Sequence, residues 1–146
     1  MSEYVARLSW KLQGSDFTYE GYPRLHQVKM GQAPEISLSA APEFRGDASM
    51  ANPEELLVAA LSSCHMLSFL AIAARKRLMV LSYDDVAVGV MSPNDAGRLY
   101  VSKVTLRPKV VFEVPPSADA LQKLHHQAHT GCFIANSVIT QVSVEL

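Results

Sequence analysis

The sequence predicts an α+β chain in which antiparallel hairpins are combined with one long apolar helix. Three observations carry this expectation. The opening third alternates apolar and polar residues in short runs broken by glycine and proline. Residues 56–74 then contain no Asp, Glu, Lys or Arg, far longer than a strand would need. After that come two more alternating stretches, a second helical segment and a last alternating run, an order that suits α+β architecture.

Residues 4–11 (Tyr, Val, Ala, Arg, Leu, Ser, Trp, Lys) alternate as a half-buried strand does. Gly14-Ser15-Asp16 reads as a turn, residues 17–20 as a second strand, and residues 25–30 and 35–39 as two more. Residues 42–51, rich in small and polar side chains, read as a loop. Asn52-Pro53-Glu54-Glu55 has the form of a helix start: Asn52 can cap, Pro53 suits the first helical position, and the glutamates face the positive end of the dipole. The helix is expected to run to about Arg77, where Arg75, Lys76 and Arg77 suit its negative end. Residues 80–91 and 99–114 read as strands joined by the Asn94-Asp95-Ala96-Gly97 turn, with Pro108 at an edge or bulge. A second helix is expected over residues 118–130, interrupted by Gly131 just before Cys132. Residues 138–146 should close the sheet.

The 146 residues suit one domain spanning 1–146. With 49% hydrophobic and 18% charged residues the chain is globular rather than disordered. A net charge of −1 implies no basic surface, so no nucleic-acid partner is expected. Met1 to Trp10 lacks the unbroken apolar stretch of a secretory signal, and a cytoplasmic location is the default expectation. The charge-free helix is long enough to span a bilayer. Ser62, Ser63, Cys64, His65 and Ser68 make its middle too polar for a lone span, and burial in protein is preferred. A domain of this size has little material to wrap such a helix, so a homodimer is expected and a membrane is not.

Two cysteines in a reducing compartment are inert core thiols, metal ligands or redox groups, not a permanent staple. Cys64 lies in the least polar helix, where burial alone would raise its pKa above about 8.5 and quiet it. An active Cys64 therefore needs a nearby cation. Arg24 and Arg45 are candidates, whereas Arg75, Lys76 and Arg77 lie about three turns further on. Cys132 follows a helix break, a place where a mobile resolving thiol would suit, though a small core residue would also fit. His125, His126 and His129 cluster near Cys132, but no close-spaced ligand pairs of a zinc site occur, and the histidines are expected to face solvent. No metal, cofactor, phosphate loop or nucleophile elbow is expected.

Three segments resemble the OsmC/Ohr family of hydroperoxide-reducing proteins: Asn52-Pro53-Glu54-Glu55-Leu56-Leu57, Ala59-Ala60-Leu61-Ser62-Ser63-Cys64, and His129-Thr130-Gly131-Cys132 with Asn136. The order of elements is similar as well, so the resemblance covers nearly the whole chain. It implies an α+β OsmC-like fold, antiparallel sheets around a long buried central helix, and an intertwined homodimer with sites at the subunit interface. It also implies a thiol-dependent peroxidase with peroxidatic Cys64, resolving Cys132, Glu54, and an arginine for which Arg24 is the first choice and Arg45 the second. An organic hydroperoxide would be the substrate, and a dithiol, such as a lipoylated protein, the reductant. Phe133 and Ala135 stand where the best-studied branches tend to have proline and serine, marking a divergent branch. The alternative is a non-catalytic member of the fold that binds an apolar small molecule in a cleft beside the central helix.

Helix geometry adds a constraint. Ten residues separate Glu54 from Cys64, which is about 15 Å of rise and about 80° of azimuth on a straight helix. Either the helix breaks or Glu54 and its arginine serve the Cys64 of the other subunit. The second is expected.

Overall fold

A computed structural model describes residues 1–146, which cluster into two units, Met1–Leu56 and Leu57–Leu146. In the first, β1 (Ala6–Ser9), β2 (His26–Met30) and β3 (Ile36–Leu38) form an antiparallel sheet in the order β1-β2-β3. Leu8 pairs with Val28, and Val28 with Ile36. Val28, Leu38 and Ala41 are buried.

One expected strand is absent. Residues 17–20 form turns and bends instead. The Asp16 carboxylate accepts from both the backbone N–H (3.0 Å) and the hydroxyl (2.7 Å) of Thr18, and the Thr18 carbonyl accepts from the N–H groups of Gly21 and Tyr22. This local bonding satisfies backbone groups that a strand would need to pair elsewhere. Residues 42–51 contain a short 3-10 turn, Pro42–Phe44.

Helix α1 runs unbroken over Pro53–Arg75. Its start is a reciprocal cap: the Glu55 N–H donates to Asn52 Oδ1 at 2.9 Å, and the Asn52 N–H donates to Glu55 Oε2 at 3.2 Å. It ends two residues earlier than expected. Arg77 adopts φ 58°, and the N–H groups of Leu78 and Arg77 donate to the carbonyls of Ala73 and Ala74. That is a Schellman closure, which ends a helix by satisfying its last carbonyls.

In the second unit the strand expected over residues 80–91 is two strands. β4 (Val80–Asp85) pairs antiparallel with β7 (Pro108–Phe112), and β5 (Val88–Pro93) pairs antiparallel with β6 (Leu99–Leu106) through the Asn94–Gly97 turn, where Gly97 has φ 73°. The stretch expected over residues 99–114 likewise divides, between Leu106 and Pro108. β8 (Gln141–Val144) joins β6 in parallel, so this sheet is mixed. Helix α2 (Ala118–Gly131) is capped by Ser117, whose hydroxyl accepts from the Ala120 N–H at 3.2 Å.

Two apolar clusters build this unit. Phe69 and Ala73 of α1 meet Leu124 and Ala128 of α2, while Leu61 of α1 meets Val104 and Leu106 of β6. Leu61, His65, Phe69 and Ala73 recur every four residues and form the one fully buried stripe of α1. Gly89 of β5 is needed for this packing: a Cβ there would lie 2.5 Å from a Val58 methyl. The rest of α1 is partly or fully exposed, Leu67 to 60%. It is also the one helix long and apolar enough to cross a membrane by length and composition.

Candidate active site

The four residues singled out from the sequence fall into two pairs, one in each unit. In the first unit, Arg24 and Glu54 line one cavity of about 700 Å³, together with Trp10, Phe17, Tyr22 and Phe44. Arg24 is held before β2 by donation to the carbonyls of Tyr22 and Tyr19. Its guanidinium lies 3.6 Å from the centroid of the Tyr22 ring, a cation–π contact. Trp10 in turn donates to the Pro23 carbonyl at 2.7 Å and, with Phe17 and Tyr22, makes an aromatic cluster behind the arginine.

This anchoring leaves Arg24 Nε buried without a partner, and Glu54 Oε2 is likewise buried and unpaired. The two side chains form no ion pair; Arg107 with Glu145 is the only ion pair in the structure. Unpaired buried polar atoms are costly and rare, so a cation and an anion left open on one apolar cavity mark a site able to take polar groups. Arg45 is exposed, sits 5.8 Å from the Tyr19 ring centroid and does not line this cavity.

In the second unit, Cys64 and Cys132 approach each other as free thiols. Cys64 is partly exposed on α1. Cys132, at the C-terminal cap of α2, is 1% exposed. Its N–H donates to the His129 carbonyl, its carbonyl accepts from the Asn136 N–H, and its sulfur accepts from the Ala135 N–H at 3.4 Å. Burial pushes the Cys132 thiol up, and the adjacent Cys64 thiol adds to this. Phe133, next to it, is 80% exposed.

Of the clustered histidines expected to face solvent, only His126 is exposed; His125 is buried and His129 half-buried. His65 and His125 are buried, their rings lie nearly parallel at an interplanar angle of 2°, and they meet edge to edge, with His65 Nε2 3.1 Å from His125 Nδ1. Phe69 stacks on His125 at 4.4 Å. Burial holds both imidazoles down at about 4, with each proton also opposed by its histidine neighbours in the case of His65. Nearby Asp85 pulls the other way and accepts bonds from the Ser62 hydroxyl and the Arg107 N–H. The sequence does hold a signal for His65: it occupies the Leu61–Phe69–Ala73 stripe. No group of three or more His, Cys, Asp or Glu side chains converges on a metal-binding geometry.

The fold and the thiol pair define a class, and comparison with known proteins assigns it: the chain belongs to the OsmC-like protein family, whose pattern matches residues 46–146. Among solved structures it is similar to an OsmC-like protein of unknown function from Vibrio cholerae, at 46% identity with a TM-score of 0.94, covering 99% of each chain. It shares its fold with an organic hydroperoxide resistance protein from Elizabethkingia anophelis (17% identity, TM-score 0.74, 99% and 96% of the two chains). It also shares it with a putative organic hydroperoxide resistance protein from Vibrio cholerae that holds captopril in one of its active sites (21% identity, TM-score 0.70, 99% and 92%). No curated protein matches the chain.

Proposed function

We propose that this chain is a cytoplasmic two-cysteine peroxidase that reduces organic hydroperoxides. The observation that carries the proposal is the thiol pair. Two cysteines 68 residues apart in sequence meet in one unit, one accessible along a groove and the other buried beside it. The Cys64 thiolate attacks the distal peroxide oxygen, the O–O bond breaks, and the alcohol leaves after taking up a proton. Cys64 is then a sulfenic acid. Cys132 attacks it, water leaves, and a Cys64–Cys132 disulfide forms. A dithiol, such as a lipoylated protein, reduces that disulfide and is itself oxidised to its disulfide.

A cation beside Cys64 would stabilise the thiolate, which is the attacking form. Arg24 is assigned that role and Glu54 the positioning of Arg24. The unbroken α1 separates Glu54 from Cys64 by about 15 Å along its axis and about 80° around it. The active site is therefore proposed to form in a homodimer, with Arg24 and Glu54 of one subunit serving Cys64 of the other. The partly exposed apolar length of α1 supports the same arrangement.

The test is hydroperoxide-dependent oxidation of dihydrolipoamide. Cys64→Ser is expected to abolish it, and Cys132→Ser to stop the cycle after a single turnover. Full turnover by Cys64→Ser would refute the proposal. The large cavity walled by Trp10, Phe17, Tyr22 and Phe44 favours one second reading, a non-catalytic binder of an apolar small molecule. That reading predicts no dithiol oxidation by the wild type.

A further inference from the structure

The two thiols differ in access. Cys132 is 1% exposed within a single chain, and a second subunit could only add cover. Cys64 is the sulfur that admits the peroxide in the peroxidase reading, so it is also the one a dithiol reaches. Reduction of the Cys64–Cys132 disulfide then has one course. A reductant thiolate attacks the Cys64 sulfur, the S–S bond breaks, and Cys132 leaves as a thiolate. The second reductant thiol displaces Cys64, the reductant closes to its own disulfide, and Cys132 takes up a proton. A leaving group inside the protein has little water to carry its charge, so that charge is met by donors already in place.

Two backbone groups fill this place. The Ala135 N–H donates to the Cys132 sulfur at 3.4 Å, and the Ile134 N–H also reaches it. Phe133, Ile134 and Ala135 bring no side-chain donor, and the titratable group beside the sulfur is the Cys64 thiol. Both amides lie on the turn from Cys132 to Asn136, and Asn136 ties that turn twice. Its backbone N–H donates to the Cys132 carbonyl at 3.1 Å and closes the turn. Its side-chain amide donates to the Thr130 carbonyl at 3.1 Å and fastens the turn to the last residues of α2. Asn136 is exposed and belongs to neither apolar cluster, so these two bonds define its place.

We propose that Asn136 is a positioning residue for the resolving cysteine: it holds the Ile134 and Ala135 N–H groups on the Cys132 sulfur, so that Cys132 can carry negative charge while buried. The same donors serve the forward step, in which charge builds on that sulfur as it attacks the sulfenic acid. The reaction rests on the peroxidase reading, whereas the placement of the donors does not, and the experiment separates the two.

Wild type, Asn136→Ala and Asn136→Gln are oxidised to the Cys64–Cys132 disulfide with diamide, and its reduction by dithiothreitol is followed by stopped flow. The rate is expected to fall about fivefold in Asn136→Ala, the size of one hydrogen bond, and to recover in large part in Asn136→Gln, which keeps the amide donor. In parallel, ultraviolet thiolate absorbance follows the titration of Cys132 in a Cys64→Ser background. Adding Asn136→Ala there should move that titration to higher pH by roughly 0.7 of a unit, the same factor. If the wild type turns over no hydroperoxide yet both shifts appear, the peroxidase reading fails and the positioning role stands. Unchanged reduction together with an unmoved Cys132 titration overturns the proposal. So does a slower reduction with a lowered unfolding midpoint and an unmoved titration, which would make Asn136 a clasp for stability alone.

Discussion

Mild acid should destabilise this protein well before its carboxylates titrate. His65 and His125 are 1% and 3% exposed and are held neutral, each lowered from 6.5 to about 4 by burial. The unfolded chain, whose imidazoles are free, takes up protons below about pH 6.5, while the native state does not until near pH 4. The contribution of the pair is therefore complete above pH 6.5 and is lost progressively as the pH falls toward 4. At pH 5 an independent ring with this shift would lose about 2 kcal/mol. The two rings share a hydrogen bond and cannot be treated as independent, and partial solvent screening reduces the effect, so about 3 kcal/mol is expected for the pair. The assay is urea unfolding at pH 7.5 and pH 5.0, a range that leaves ordinary Asp and Glu ionised. With a typical slope, 3 kcal/mol lowers the midpoint by about 1–2 M. The double variant His65→Leu/His125→Phe removes both titrating groups together and leaves no orphaned partner. Its midpoint should depend far less on pH. If the wild-type midpoint is the same at both pH values, or the double variant shows the same drop, the reasoning is refuted.

Removing the cap at the start of α1 by Asn52→Ala should cost about 1 kcal/mol in thermal or urea unfolding, since Asn52 and Glu55 satisfy each other's backbone donors there. No change in midpoint would show that the cap adds nothing beyond the tertiary contacts. Gly89→Ala should cost about 1–3 kcal/mol, because the new methyl meets a stiff β-branched side chain at 2.5 Å. Val58→Ala in the same background should recover much of that loss, and a failure to do so would point away from this contact.

Local chemistry was legible in the sequence and long-range pairing was not. Asn52-Pro53-Glu54-Glu55 located the start of α1 because caps are written in adjacent residues. The Asn94–Gly97 turn was equally local. Residues 17–20 misled because their alternation is that of a strand, whereas Asp16 and Thr18 close a turn with side-chain bonds that periodicity does not register. The parallel pairing of β8 with β6 had no local mark, and the same holds for the hydrogen-bonded pairing of His65 with His125, which lie 60 residues apart. For the site, Cys64, Cys132 and Arg24 stood out as candidates from the residues themselves, while Glu54 and the roles of all four came through resemblance. The groove beside Cys64 depends on Phe133 and Ile134, which only the folded chain brings there.

The parallel β6–β8 pair has a consequence for when the thiol pair comes into being. Strand partners such as Leu106 and Val144 are joined by a crossover that contains β7, α2 and Cys132. Pairings so distant in sequence form late, because the entropy of closing the loop must be met before the contacts repay it. Ile134, Ala135, Val138, Val142 and Val144 all pack on the Leu61–Val104–Leu106 cluster, and Ala135 donates to the Cys132 sulfur. Cys132 is thus locked into its seat by the arrival of the last strand. Cys64, by contrast, lies on a helix built from local bonds, so its place on the backbone does not depend on that pairing.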